Sequence, residues 1–300
     1  MPGLPHAAPL PDQVLVGSRT IDRSSNLTLY DAATGELGQP LTTGSPGTQF
    51  PVLSADRGSV IYLQTKRDAP KTLRTMAVDG TGDRELFSTF PDDCGNFYRP
   101  GWNPADQTEI ALACVKGDGS VAVYRIGVDG KVRGTITTGL TVVDDLTYSP
   151  DGSQLAFWGA DTVGGQSVLF VQPADGNSPP RRLVLPPDGV SDVDPAFSPD
   201  GGTITFRRVT KDGSGAQTSR LYQVGVDGSN LRPLTDAGYV DLDPSYSPDG
   251  SRIVFRSIGR GSGTGKASAL WVIGADGTGL RELAADAPGI ADGAPAWTRR

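Results

Sequence analysis

Two turn motifs recur through this 300-residue chain on one shared beat. The clearest copies of the first are LTYSPDGSQLAF from Leu146, DPAFSPDGGTITF from Asp194 and DPSYSPDGSRIVF from Asp243. Looser copies are FPVLSADRGSVIYL from Phe50 and RPGWNPADQTEIAL from Arg99, and the chain closes on a truncated one, APAWT, from Ala294. The aligned motif residues are Ser54, Asn103, Ser149, Ser198, Ser247 and Thr298, stepping by 49, 46, 49, 49 and 51 residues. The second series, Asp79-Gly80, Asp129-Gly130, Asp175-Gly176, Asp227-Gly228 and Asp276-Gly277, with Thr34-Gly35 ahead of them, keeps the same period.

Each unit reads as four antiparallel strands. In Ser-Pro-Asp-Gly the proline fixes φ and the glycine takes the left-handed position, so two strands fold back on each other. The second strand runs apolar (Leu155 and Phe157, Ile204 and Phe206, Ile253 and Phe255), and aromatic and β-branched residues suit a pleated, half-buried surface. A third strand (SVLFVQ, RLYQVG, ALWVIG), an Asp-Gly hairpin turn and a fourth strand (RRLVL, LRPLT, LRELA) complete the unit. Such a sheet cannot bury both faces alone, and radial repetition solves this as a β-propeller. The expected fold is therefore all-β: a six-bladed propeller of four-stranded antiparallel blades over residues 13–300, after a Pro/Ala-rich linker at 1–12. The chain opens on a second strand (QVLVGSRT), so APAWT is expected to supply the missing first strand and close the ring, and deleting 293–300 to cripple folding.

Composition narrows the chemistry. Gly is 40 and Pro 24 of 300 residues, which leaves few unbroken stretches for helices. The net charge of −7 argues against a nucleic-acid partner. No apolar run approaches the length of a membrane span, so no membrane insertion by this chain is expected, and MPGLPHAAPLPD lacks the pattern of a signal peptide. The only histidine is His6, in that tail, which disfavours Ser-His-Asp, Cys-His and His-rich zinc chemistry.

The repeat resembles the WD40-like PD40 repeat of TolB-type propellers. The residues that carry the resemblance are Ser149-Pro150-Asp151-Gly152, Ser198-Pro199-Asp200-Gly201 and Ser247-Pro248-Asp249-Gly250, with Pro195, Pro244 and Pro295 ahead of them. The resemblance spans residues 13–300 and implies the fold more strongly than a function, because such propellers host many roles. TolB has an additional N-terminal α/β domain, which is not expected in this sequence, and this argues against a Tol-system role. Related propellers serve as extracytoplasmic sensor domains of bacterial receptors, transmembrane Ser/Thr kinases among them, and as accessory domains of serine peptidases. The resemblance therefore implies a non-catalytic binding or sensing module outside the cytoplasm. The alternatives are a stand-alone TolB-like envelope scaffold for a protein partner and a carboxylate-based lyase or hydrolase.

In a propeller the residues just before the first strands ring the channel mouth. One position before the aligned proline, whose slot holds Leu146 in the fourth copy, stand Phe50, Arg99, Asp145, Asp194, Asp243 and Ala294; three positions before it stand Thr48, Phe97, Val143, Asp192, Asp241 and Asp292. Asp144 adds to an acidic half-ring, and Phe50, Phe97, Tyr98 and Arg99 form an aromatic and basic counterpart. Such a mouth would suit a protein, a peptide or a small cationic ligand, by ion pairing and cation–π contact, or Ca²⁺ at Asp145, Asp194 and Asp243. No other cofactor is expected. Against this, D-x-D-P is a repeat feature, so Asp194 and Asp243 are first read as caps on neighbouring backbone N–H groups. Asp144, Tyr98 and Arg99 depart from the repeat and are the better candidates.

Cys94 and Cys114 are the only cysteines. Pairing around Asn103–Gln107 puts Cys114 opposite about Arg99, close enough for Cys94 to form a disulfide, with two buried free thiols as the alternative. A bond would fit an exported setting. The loops around Gly164-Gly165, KDGSGAQ from Lys211 and GRGSGTGK from Gly259 read as surface loops. The last has no helix after it to make a phosphate loop. Trp102, Trp158, Trp271 and Trp297 read as core between sheets before ligand platforms.

Overall fold

The computed structural model describes residues 3–21, 24–43, 47–65, 71–87, 94–211, 213–260, 268–283 and 291–297. Thr298, Asp212 and most of the Gly259–Lys266 loop fall outside them, as does the side chain of Asp292. The described elements are all β-strands, in antiparallel sheets built around four strands.

The chain divides into two compact units, Met1–Leu86 with Gly238–Arg300, and Phe87–Ala237. In the first, the strand orders are Ala291–Ala296, Val14–Ile21, Ser24–Asp31, Leu37–Pro40; then Thr48–Leu53, Ser59–Gln64, Thr72–Ala77, Arg84–Glu85; and Val240–Tyr246, Arg252–Ile258, Ala269–Gly274, Arg281–Glu282. In the second, Cys94–Phe97 and Gly101–Trp102 both pair with Glu109–Lys116, followed by Val121–Gly127 and Val132–Ile136. Val142–Tyr148, Gln154–Ala160, Val168–Pro173 and Arg181–Arg182 come next, then Ser191–Phe197, Thr203–Lys211, Gln217–Gly225 and Arg232–Pro233.

Serine and aspartate lock the hairpin turns in the same way each time. Ser149 Oγ–H donates to Asp151 Oδ1 (2.6 Å), the Ser153 N–H donates to the same oxygen (3.0 Å), and the Gln154 N–H donates back to Ser149 Oγ (2.9 Å). Ser198 with Asp200 and Ser247 with Asp249 repeat the pattern, as do Ser54 with Asp56. Hydrogen bonds from Ser149 and from the Ser153 backbone hold the Asp151 carboxyl at about 2.

Cores form between successive sheets of one unit, because each sheet buries a face only against its neighbour. Leu15, Tyr30 and Trp297 pack with Val254, Leu270 and Val272; Val16, Leu27 and Ala296 pack with Leu53, Val60, Tyr62 and Met76. In the other unit Val143, Leu155 and Phe157 meet Ala111, Ala113 and Val123, and Ala156, Leu169 and Val171 meet Phe197, Ile204 and Phe206. The first strands approach closely: a Cβ on Gly101 would lie 2.9 Å from the Leu146 carbonyl oxygen.

The strand at 291–296 pairs antiparallel with Val14–Ile21, as expected of APAWT. Three expectations are corrected. The fourth strands are only two residues long at Arg181–Arg182, Arg232–Pro233 and Arg281–Glu282. They have one neighbour each, and prolines beside or within two of them remove donors. Cys114 lies opposite Phe97, not Arg99, because Pro100 splits that first strand. Residues 5–12 do not run as a free linker: the Ala7 N–H donates to the Gly58 carbonyl (3.1 Å) and the Leu10 N–H to the Arg57 carbonyl (3.2 Å).

Trp297 is fully buried, its indole N–H donating to the Asp12 carbonyl (2.8 Å) with the Arg252 guanidinium 4.8 Å over its ring. Trp297→Ala should therefore cost about 3–5 kcal/mol, as for large aromatic truncations. Chemical denaturation should show a lower midpoint, and an unchanged midpoint would contradict the packing role of the closing strand.

Candidate functional site

Four of the six residues one position before the aligned proline, or before Leu146 in its place, have an unusual backbone. Phe50, Asp145, Asp194 and Asp243 have φ of 52, 52, 54 and 52°, in the left-handed region. At each, the register of the first strand slips against the second: between Gln49 and Val52, Asp144 and Thr147, Val193 and Ala196, Leu242 and Ser245. These are β-bulges, which re-aim a side chain out of strict alternation. Aspartate is among the non-glycine residues that tolerate this region best, which accounts for its recurrence before proline.

The bulge fixes where each carboxylate goes, and sets Asp194 and Asp243 beside arginines. Asp194 Oδ2 lies 3.5 Å from an Arg207 guanidinium nitrogen, and Asp243 Oδ2 lies 3.2 Å from Arg256 Nε. Both arginines stand thirteen residues after their aspartate, on the neighbouring second strand. Thirteen residues after Asp145 stands Trp158, whose indole N–H donates to Asp145 Oδ2 (2.9 Å). The first copies carry Leu63 and Leu112 there.

The aspartates three positions before the proline make buried pairs. Arg208 donates to both oxygens of Asp192 (2.7 Å each), with its guanidinium 4.6 Å over the Tyr222 ring and 5.5 Å over Phe206. Arg260 donates to both oxygens of Asp241 (3.1 and 2.8 Å), which also accepts from Ser257 Oγ (2.6 Å), and it stacks 4.1 Å over Tyr239. Both carboxylates are fully buried, so their charge is committed to the fold.

Within the 87–237 unit, Asp144, Asp145, Asp194, Tyr98, Arg99 and Trp158 form one network. The Asp145 N–H donates to Asp144 Oδ1 (2.6 Å). Burial pushes the half-buried Asp145 carboxyl up to about 6, and the Asp144 charge adds to this; a hydrogen bond with Asp194, the charge of Arg99 and the Trp158 indole oppose it. Burial, then Asp144, raises the Tyr98 hydroxyl. Phe97 is buried and faces Cys114 in the sheet, which places it in the core. Cys94 and Cys114 form a disulfide, with Cα atoms 5.5 Å apart. It holds the strand that leads into Tyr98 and Arg99.

In the other unit, Phe50 is half-buried at its bulge and Asp243 is buried. The Asp292 backbone lies opposite Arg19. Among the described residues no three carboxylate, imidazole or thiol groups are set to hold a metal ion. Asp145, Asp194 and Asp243, the expected calcium ligands, lie beside Trp158, Arg207 and Arg256. The arginine partners were absent from the sequence reading. Aligning the repeats thirteen residues past the bulge would have found them.

Four-stranded antiparallel sheets that bury their cores against one another define a β-propeller. A family model described as the TolB beta propeller domain matches residues 14–299, and the chain belongs to this family. It is similar to TolB from Acinetobacter baumannii at 17% identity and a TM-score of 0.75, over 96% of this chain and 67% of that one. It is similar to a putative TolB from Agrobacterium tumefaciens at 21% and 0.69, over 90% and 88%. An oligogalacturonate lyase from Vibrio parahaemolyticus matches at 13% and 0.57, over 92% and 80%. At these identities the structural likeness concerns the fold.

Asp145 provides a test of the network. Its folded value lies above the ordinary 3.8, so its desolvation cost is absent below about pH 4 and grows as pH rises through about 6. Asp145→Asn keeps a residue that tolerates left-handed backbone and removes that cost. The variant should gain on the order of 1–2 kcal/mol at pH 8 and little at pH 4, read by denaturant midpoints at both pH values. An equal gain at both would contradict the assignment.

Proposed function

We propose that this chain is a non-catalytic six-bladed propeller that binds a cationic side chain of a protein or peptide partner beside Asp145. The observation that carries the reading is the exchange at the thirteenth position: Asp194 and Asp243 each hold an arginine, and Asp145 holds an indole. A carboxylate whose partner on the second strand is an indole donor and not an arginine, flanked by Asp144 and an aromatic face, suits an incoming guanidinium or ammonium group. Six motif copies at a step near 49 residues and the pairing of 291–296 with Val14–Ile21 support the six-blade count.

The proposed setting is the extracytoplasmic sensor domain of a bacterial receptor such as a transmembrane Ser/Thr kinase. The Cys94–Cys114 disulfide supports an oxidising compartment. No helix among the described residues is long and apolar enough to cross a membrane. The family match and the two TolB structures favour a second reading, a TolB-like envelope scaffold that binds its partner through the same residues. The lyase or hydrolase reading is not adopted, since it rests on likeness of fold.

N-acetyl-arginine amide and N-acetyl-lysine amide test the site, with N-acetyl-citrulline amide as the uncharged control. The cationic probes should shift the Trp158 indole resonance saturably at pH 8, and more weakly at pH 5, where Asp145 is protonated. Asp145→Asn should abolish the shift. Equal response to citrulline, or none to any probe, would contradict the reading.

A further inference from the structure

The motif copy at Ser54 departs from Ser-Pro-Asp-Gly at two positions, Ala55 and Arg57. Ser54-Ala55-Asp56-Arg57-Gly58 puts an arginine where Gly152, Gly201 and Gly250 stand. Arg57 nevertheless keeps the left-handed backbone, with φ of 60°, and is 1% exposed. A long cationic side chain in a glycine position needs a compensating partner.

That partner is the segment 5–12. The Arg57 guanidinium donates to Asp12 Oδ1 (3.2 Å), to the Pro11 carbonyl (3.0 Å) and to the Val14 carbonyl. Ser59 Oγ–H donates to the Pro5 carbonyl (2.5 Å), and His6 Nε2 meets Asp56 Oδ2 at 2.6 Å. The Ala7 and Leu10 side chains pack on the cluster of Leu53, Val60 and Met76. The glycines beneath are needed for contact: a Cβ on Gly58 would lie 2.7 Å from the Ala7 carbonyl oxygen, and one on Gly82 would lie 2.8 Å from Pro5 Cβ.

In the 87–237 unit the same place is filled by chain that cannot leave. A Cβ on Gly152 would lie 2.5 Å from Asn103 Oδ1 and 2.8 Å from Ala105 Cβ, and one on Gly201 would lie 3.3 Å from Pro150. Each of these turns therefore packs on the turn of the preceding repeat. The sheet of 291–296 and Val14–Ile21 has no such turn, because its first two strands come from distant parts of the sequence.

We infer that residues 5–12 form a detachable strap standing in for that missing turn. The groove along residues 54–59 and 78–82 is then a recognition site for an extended proline-rich segment of this chain. Its backbone hydrogen bonds at Ala7 and Leu10, its apolar seat for Leu10 and its Asp56 contact for His6 are the features of peptide capture in extended form. Residues 5–12 belong to no strand, so the strap can leave without unfolding one.

The test is the sign of one substitution in the full chain. Arg57→Gly restores the motif glycine and relieves the left-handed backbone, so a turn that acts alone would be stabilised. The strap account predicts the reverse: a lower Tm, and Ala7 and Leu10 amides that exchange about tenfold faster or more. A higher Tm with unchanged exchange would overturn it. A full chain carrying Ala7→Asp and Leu10→Asp gives a second reading, with a synthetic peptide of residues 3–12 as probe. The peptide should raise the lowered Tm of this variant saturably and leave the unsubstituted chain unchanged. No rise at millimolar peptide would overturn the recognition site.

Discussion

The arrangement rests on one backbone constraint, a left-handed residue at a bulge in the first strand, shared by Phe50, Asp145, Asp194 and Asp243. After Phe50, Asp194 and Asp243 a proline fixes its own φ and donates nothing, so the ladder breaks there, and after Asp145 the same break forms with Leu146 in that place. The bulge takes up the break and turns the preceding side chain toward the neighbouring second strand. Aspartate then meets arginine at 194 and 243, and tryptophan at 145. Phe50 shows that the backbone device outlives the carboxylate: it keeps the same φ with no charge to place.

A second constraint is the open edge of a small sheet. The closing strand at 291–296 and residues 5–12 serve one end of the first unit together, the strand completing a sheet and the other segment covering its neighbour's turn. Trp297 joins the two through its bond to the Asp12 carbonyl. The Ser–Asp turn locks serve the remaining repeats locally, each within six residues.

Much of the fold was legible because its signals are local. Ser-Pro-Asp-Gly and Asp-Gly specify turns by their own backbone preferences, and a repeated period converts turns into sheets. The closing strand was legible because APAWT is recognisably a motif fragment. The short outer strands were misread, since RRLVL and LRPLT have strand-like composition but only one neighbour to pair with. At the site, the candidate positions were found by counting back from proline, and Asp144, Tyr98 and Arg99 do join Asp145. What the counting missed was conformation: nothing in D-x-D-P announces a left-handed residue unless the pre-proline aspartates are compared as a set. The partners were missed for the same reason, because Arg207 and Arg256 lie thirteen residues away on another strand. Arg57 went unread because its explanation lies some 45 residues upstream, at Pro11 and Asp12.

The central claim is that the residue thirteen positions after the bulge decides whether its carboxylate is committed to the fold or held for a ligand. Trp158→Arg gives Asp145 the partner its repeat equivalents have. Carbon-detected NMR titration of the Asp145 carboxyl measures the result directly. The account predicts a fall from about 6 to below the ordinary 3.8, with the dispersed fold retained and the arginine probe no longer bound. A carboxyl that still titrates near 6 in a folded variant would contradict it.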